Sequence, residues 1–329
     1  MSSIVGIDVA KDSLVVALLG EAGDPVVGEF PNNPMGFKKL QRWLNKYKAL
    51  AVHACMEATG RYWEQLADFL VEQGYTVSVV NPLRIKGYAN SQLTRNKTDR
   101  IDAVLIAQFC HTQQPAPWTP PPPEWRELQA LVRHLDDLEA DRQRQHNRLH
   151  ALHHSAHPAT TIQANLQQQV ALLEAQIDQV KALIQDHIDR YPDLKQKRDL
   201  LVSVKGIGPL TAAKLLGEYG DMSQFSDVRQ VVAFAGLNPR HRQSGSSVRG
   251  RTAISKVGRA SIRAALYMPA INAKRFDPRM RAFAQRLAAR GLCNMEIVVA
   301  VMRKLLHVAY GILKSGQPYH ADFGLAVAA

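Results

Sequence analysis

The chain has 329 residues, 46% of them hydrophobic, with three cysteines and a formal net charge of +12. It is long enough for two or three domains and apolar enough to bury a core, which excludes global disorder, and no run approaches about 18 uninterrupted apolar residues, which excludes a helical membrane span. Cys55, Cys110 and Cys293 are scattered and lack CxxC spacing, which excludes a disulfide frame or a zinc ribbon and fits a reducing compartment.

Met1-Ser2-Ser3-Ile4 has no basic segment ahead of a long apolar stretch and enters a strand at once, so no secretory signal is expected. Residues 4–10, 13–19 and 25–30 are rich in Val, Ile and Leu and are separated by turn residues, which predicts three short strands. Residues 34–47 predict an amphipathic helix with Phe37, Leu40, Trp43 and Leu44 on one stripe. A strand at 51–56, a helix over 61–73, a strand at 76–80 stopped by Asn81-Pro82, and a helix over 100–112 complete the unit. A three-stranded meander followed by helix, strand, helix and strand is the element order of an RNase H-like domain, and residues 1–114 are read as one.

The tract from Pro115 to Pro123 predicts a stiff extended linker, taken as residues 115–125. Beyond it, Leu128, Leu131, Leu135 and Leu138, then Leu166, Val170, Leu173, Ile177, Val180 and Ile184, recur at spacings of three and four. Residues 126–195 are therefore expected to form a helical hairpin or a coiled coil between subunits, interrupted at Ser155-Ala156-His157-Pro158. Residues 196–329 form a further, mainly helical region, so the predicted class is α/β plus α. Within it, Val204-Lys205-Gly206-Ile207-Gly208-Pro209 between two apolar helices resembles a helix-hairpin-helix turn. Lys205 and the backbone N–H groups at Gly206 and Gly208 then become candidates for holding a phosphate, against the plainer reading of a packing turn.

Four carboxylates carry the chemistry of the first domain. Asp8 and Glu57 end apolar strands, and Asp99 and Asp102 lie three apart at the start of a helix, on one face. Two strand ends and a helix face can meet at one point, where carboxylates repel unless a hard cation neutralises them. Mg²⁺ (or Mn²⁺) takes such oxygen ligands and leaves positions open for phosphate. Taken singly, Asp99 following Thr98 also reads as a helix cap.

The positive charge is local. Between Gly236 and Tyr310 stand 15 Lys or Arg against two acids, Asp277 and Glu296, so this segment carries all of the net positive charge and predicts a polyanion surface. It opens with a loop, Asn238-Pro239-Arg240-His241-Arg242-Gln243-Ser244-Gly245-Ser246-Ser247-Val248-Arg249-Gly250-Arg251. Arg240, Arg242, Arg249 and Arg251 are candidates for clamping phosphates, and Lys256, Arg259 and Arg263 lead into basic helices expected to hold nucleic-acid backbone. A serine hydroxyl in this positive field is a candidate nucleophile; a loop that grips phosphate without bonding to it is the alternative. The histidines at 134, 146, 150, 153, 154 and 157 lie among Gln, Arg and Asn and read as a solvated face.

The motifs Gly6-Ile7-Asp8-Val9-Ala10-Lys11, Glu57-Ala58-Thr59-Gly60, Arg95-Asn96-Lys97-Thr98-Asp99-Arg100-Ile101-Asp102-Ala103, Gly206-Ile207-Gly208, Phe234-Ala235-Gly236-Leu237 and Ser244-Gly245-Ser246-Ser247-Val248-Arg249-Gly250 occur in this order. In their combination the chain resembles the DEDD-type transposases of insertion-sequence family 110, the bridge-RNA-guided recombinases. The resemblance implies a RuvC-like first domain holding Mg²⁺ on Asp8, Glu57, Asp99 and Asp102, and a transposase domain over 196–329 with Ser244 as nucleophile. It further implies donor and target DNA, a guide noncoding RNA, a covalent phosphoserine intermediate, a dimer-of-dimers assembly, no membrane, and a bacterial cytoplasmic, nucleoid-associated setting. Two rivals remain: a RuvC-like junction resolvase in which metal-activated water attacks, and a non-enzymatic nucleic-acid-binding scaffold.

Overall fold

The computed structural model describes residues 3–20, 24–49, 51–92, 98–157, 159–240, 243–244, 248–249 and 253–320. The chain folds as two compact units, residues 1–120 and 121–329.

The first unit is built on five strands: β1 (Ser3–Val9), β2 (Ser13–Leu19), β3 (Val26–Pro31), β4 (Val52–Glu57) and β5 (Thr76–Val80). Their order is β3-β2-β1-β4-β5, with β2 antiparallel to both β1 and β3, and β4 parallel to β1 and β5. This is the RNase H-like sheet that the element order predicts. Strand residues alternate between two faces. Val5, Ile7, Ala54 and Met56 pack on α1 (Pro34–Lys46) and α2 (Glu64–Glu72) through Phe37, Leu40, Leu44, Leu66 and Leu70. Ile4, Ala17, Cys55 and Val80 pack on α3 (Pro82–Ser91) and α4 (Asp99–Gln113) through Ile85, Ala103, Ile106, Ala107 and Cys110.

Helix α3 is absent from the sequence expectation. Asn81-Pro82, read there as the stop of a strand, also starts the helix: the Asn81 side chain accepts from the Leu83 N–H at 2.8 Å, and Pro82 occupies the first helical position. Thr98, and not Asp99, caps α4, its hydroxyl accepting from the Ile101 N–H at 3.3 Å. Asp99 is thereby the first helical residue, and its carboxylate is not spent on capping.

The proline-rich tract is not free-standing over its first residues. Ser78 Oγ lies 2.9 Å from the carbonyl oxygens of both Pro115 and Ala116, the Trp118 N–H donates to the Val77 carbonyl at 2.6 Å, and the Trp118 ring meets Trp63 edge-on.

The second unit is helical: α5 (Pro123–His153), α6 (Thr160–Arg190), α7 (Pro192–Val202), α8 (Pro209–Tyr219), α9 (Val228–Phe234), α10 (Ala260–Phe276), α11 (Pro278–Ala289) and α12 (Asn294–Ser315). Helices α5 and α6 pair as a hairpin within the chain. Its base shares one core with the rest of the unit, a core that includes Leu128, Val132 and Leu135 of α5 and Leu215, Leu216, Leu266, Leu305 and Leu306. Its far end has a small cluster of its own, Leu149, Leu166 and Val170. Between Leu138 and Leu149 no α5 side chain is buried, so polar residues divide the seam. Among the described residues no helix is long and apolar enough to cross a membrane.

Candidate active site

Glycine at position 6 sets the geometry of the carboxylates. A Cβ there would stand 2.2 Å from both the Ala103 carbonyl oxygen and the Ala107 nitrogen. Only a residue without a side chain lets the backbone of α4 lie directly on β1. That contact sits one helical residue from Asp102 and two strand residues from Asp8, so the N-terminal turn of α4 arrives at the end of β1. The parallel register pairs Ile7 with Met56, which sets the next residues, Asp8 and Glu57, side by side on neighbouring strands. Both follow the alternation of Ile4 and Cys55 and so belong to the face that α4 covers.

Asp8, Glu57 and Asp102 are half-buried and Asp99 is exposed. The Thr59 hydroxyl donates to Glu57 Oε1 at 2.5 Å and orients that carboxylate. Asp8 and Glu57 thus stand at one end and on one face of the sheet, and Asp99 and Asp102 on the first turn of the helix that covers that face. The four side chains do not close around a single point: among the described residues no group of three or more His, Cys, Asp or Glu is placed to hold a metal ion. The donor chemistry, carboxylate oxygens with a hydroxyl partner, is that of a hard divalent cation. Arg95 and Lys97 lie outside the described residues.

Behind the carboxylates the core holds a polar cluster that the sequence reading missed. Cys55 and Cys110 are both fully buried, and His53 Nε2 lies 2.8 Å from Ser78 Oγ. The hydrogen bond to Cys110, with burial adding to it, pushes the Cys55 thiol well above its ordinary range. Alternation along β4 was the available signal, since it places His53, Cys55 and Glu57 on one face.

In the second unit, the basic loop leaves the end of α9 and returns at α10. Its stems pair as β6 (Pro239–Arg240) with β9 (Ala253–Ile254), and its tip as β7 (Gln243–Ser244) with β8 (Val248–Arg249), Ser244 standing opposite Val248. Arg242 and Arg251 lie outside the described residues, as do the side chains of Ser244 and Arg249. Arg240 and Lys256 are exposed. Arg259 and Arg263 turn toward the protein: Arg259 Nε lies 3.7 Å from the buried carboxylate of Glu218, and Arg263 Nη1 donates to the Ala235 carbonyl at 2.9 Å. Lys205 and Gly208 are exposed at the turn before α8, whereas Gly206 is pressed on α10, where an added Cβ would stand 2.7 Å from the Pro269 carbonyl oxygen. A side chain at Gly206 would therefore not fit against α10. On the helical hairpin, His150 and His154 touch at 3.2 Å between their Nε2 atoms and are exposed.

Residues 5–158 match a DEDD transposase family of the IS110 type, and residues 198–285 match the transposase family IS116/IS110/IS902. The chain is similar to the pilin gene-inverting proteins of Moraxella bovis and Moraxella lacunata, each 31% identical over 96% of this chain and 97% of the relative. It is also 30% identical to the 43.6 kDa protein of insertion element IS110 from Streptomyces coelicolor, over 45% of this chain and 34% of that one. Among solved structures, Thermus thermophilus RuvC in complex with a Holliday junction substrate matches 35% of this chain and 95% of its own, at 13% identity and a TM-score of 0.28.

Proposed function

The chain belongs to the IS110 family of transposases, DNA-processing enzymes, and from that membership we propose that it is a site-specific recombinase that cuts and rejoins DNA through Ser244. The observation that carries the reading is the seating of α4 on Gly6, which brings Asp99 and Asp102 to the strand ends that bear Asp8 and Glu57. The names of the Moraxella relatives point the same way: inversion of a gene segment rejoins every end that is cut.

Ser244 Oγ attacks the scissile phosphorus, a P–O bond forms to serine, and the 3′-oxygen leaves as a hydroxyl, taking up a proton as serine loses one. The reverse attack by an exchanged 3′-hydroxyl restores the phosphodiester and frees the serine. Bond energy is conserved, so the reaction needs no nucleotide hydrolysis. Arg240, Arg242, Arg249 and Arg251 hold the scissile phosphate and its neighbours and stabilise the charge that builds on the pentavalent centre. Asp8, Glu57, Asp99 and Asp102 would hold Mg²⁺, which supplies electrophilic stabilisation of phosphate oxygens when bound. Lys256, Lys205 and the open backbone at Gly208 contribute backbone contacts along the nucleic acid. Guidance by a noncoding RNA and assembly as a dimer of dimers complete the proposal, and both rest on the family resemblance.

The test is Ser244→Ala on a labelled duplex that carries the recognised site. The expected result is loss of the covalent protein–DNA adduct on a denaturing gel. An adduct that persists removes Ser244 from the role, and nicked but unlinked DNA made by the unaltered enzyme identifies water as the nucleophile.

A further inference from the structure

We propose that Arg263 is a positioning residue that fastens the two stems of the Ser244 loop to each other, and that it does not itself bind nucleic acid. The proposal rests on the reading of that loop as catalytic. The loop runs from Leu237 to Lys256, and backbone hydrogen bonds tie its ends. The Leu237 N–H donates to the Val232 carbonyl at 3.1 Å, Lys256 to Gly236 at 3.1 Å, Ser255 to Asn238 at 2.9 Å and Arg259 to Phe234 at 2.9 Å. The Ser255 hydroxyl adds a bond to Asn238 Oδ1 at 2.6 Å.

Arg263, in the first turns of α10, points back into this knot. Its Nη1 lies 2.9 Å from the Ala235 carbonyl oxygen on the outgoing stem, and 3.3 Å from each of the Gly258 and Arg259 carbonyl oxygens on the returning stem. A single nitrogen therefore bridges the end of α9 and the start of α10. The space is closed around it. A Cβ on Gly236, at φ +68°, would stand 2.9 Å from that nitrogen, and one on Gly258, at φ +147°, would stand 2.4 Å from the Phe234 carbonyl oxygen. Both glycines are thus required twice, by backbone conformation and by space, which at Gly236 is room for the guanidinium and at Gly258 is room for the backbone of the outgoing stem.

The charge pattern agrees. The Ala235 carbonyl caps the C-terminal end of α9, where partial negative charge gathers and a cation is stabilised. Arg259, the neighbouring stem residue, faces Glu218, which is 5% exposed and also lies 3.3 Å from Arg133. Both arginines that open α10 are thus engaged by the protein. A phosphate is gripped by parallel N–H groups from two guanidinium nitrogens, whereas here one nitrogen serves three carbonyls. An ammonium group, with three donors on one nitrogen, fits that arrangement, so lysine is expected to substitute.

The experiment compares full-length Arg263→Ala and Arg263→Lys by hydrogen exchange, duplex binding and adduct formation. In the alanine variant, amides of residues 255–259 exchange about tenfold faster or more, because their opening is local. Affinity for a mixed-sequence duplex of about 30 base pairs stays within about twofold and its salt dependence is unchanged, as no phosphate contact is lost. Adduct yield falls about tenfold with the loop's position. The lysine variant restores protection and yield. A tenfold loss of duplex affinity with stem protection intact overturns the proposal, and so does a lysine variant that restores neither. General unfolding of the alanine variant would also expose α5 and α12, and the lysine variant then decides. If Ser244→Ala still forms an adduct while the stem results hold, Arg263 still fastens the loop and only the loop's catalytic role falls.

Discussion

Gly6 is the residue on which the acidic site depends most directly. An alanine there would place its methyl carbon 2.2 Å from two backbone atoms of α4, and neither atom belongs to a side chain that can swing away. Gly6→Ala is expected to destabilise the first unit by about 3 kcal/mol or more, the range of overpacked cores, read as a lowered denaturation midpoint. Asp102→Asn keeps size and helix position but removes a charge, so adduct formation and cleavage are expected to be lost while the variant still unfolds in a cooperative transition. Retained adduct in that variant would detach the carboxylates from the serine chemistry. At this scale much was legible in the sequence. Asp8 and Glu57 announce themselves by ending apolar runs, and Asp99 and Asp102 by opening a helix. Arg263 was not legible. An arginine four residues into a helix reads the same whether it meets a phosphate or three carbonyls, and only tertiary contact decides. The buried pair Cys55 and Cys110 was hidden likewise, because β4 and α4 are far apart in sequence.

Among the elements, hydrophobic period located most of the first unit because its strands alternate and its helices keep a stripe. It missed α3, where only Ile85 is buried and the stripe is too thin to register. It also missed the two-residue ladders in the serine loop, which have no period at all. In the second unit, the attachment of α8 to α5 includes a charged junction. Lys214 Nζ lies 2.7 Å from Asp136 and 2.8 Å from Glu139, largely shielded from solvent. Burial alone would lower its pKa, but the bonds to the two carboxylates outweigh burial and raise it. The sign follows from linkage. The stabilisation is fully present below the ordinary lysine value near about 10.4 and is lost as pH rises through the raised value. The melting temperature is therefore expected to fall as pH rises above the ordinary lysine value, and Lys214→Met should flatten that fall. An equal fall in both proteins would assign it to other groups.

Over the whole molecule, charge is sorted by region, with an acidic site in one unit and a basic loop with basic helices in the other. Binding to duplex DNA should weaken steeply with salt. Replacing Arg240, Arg242, Arg249 and Arg251 together by Gln should reduce the slope of log affinity against log salt by about 0.9 for each phosphate contact removed. An unchanged slope would move the phosphate grip elsewhere, with α11 and its arginines the next place to look. RNA recovered with the purified protein should be one structured species encoded beside the gene, and a random cellular mixture would remove RNA guidance from the proposal. The tie between Ser78, Val77 and the residues from Pro115 to Trp118 has a consequence of its own. Strand β5 is an outer strand of the sheet, and an outer strand left bare invites the same strand of another copy to pair with it. Here the Trp118 N–H occupies the Val77 carbonyl on that margin, and Pro115 and Pro117 beside it have no N–H to offer a further strand. A strand from a second copy must displace this tract before it can pair with β5, so the prolines guard that margin as well as forming a link.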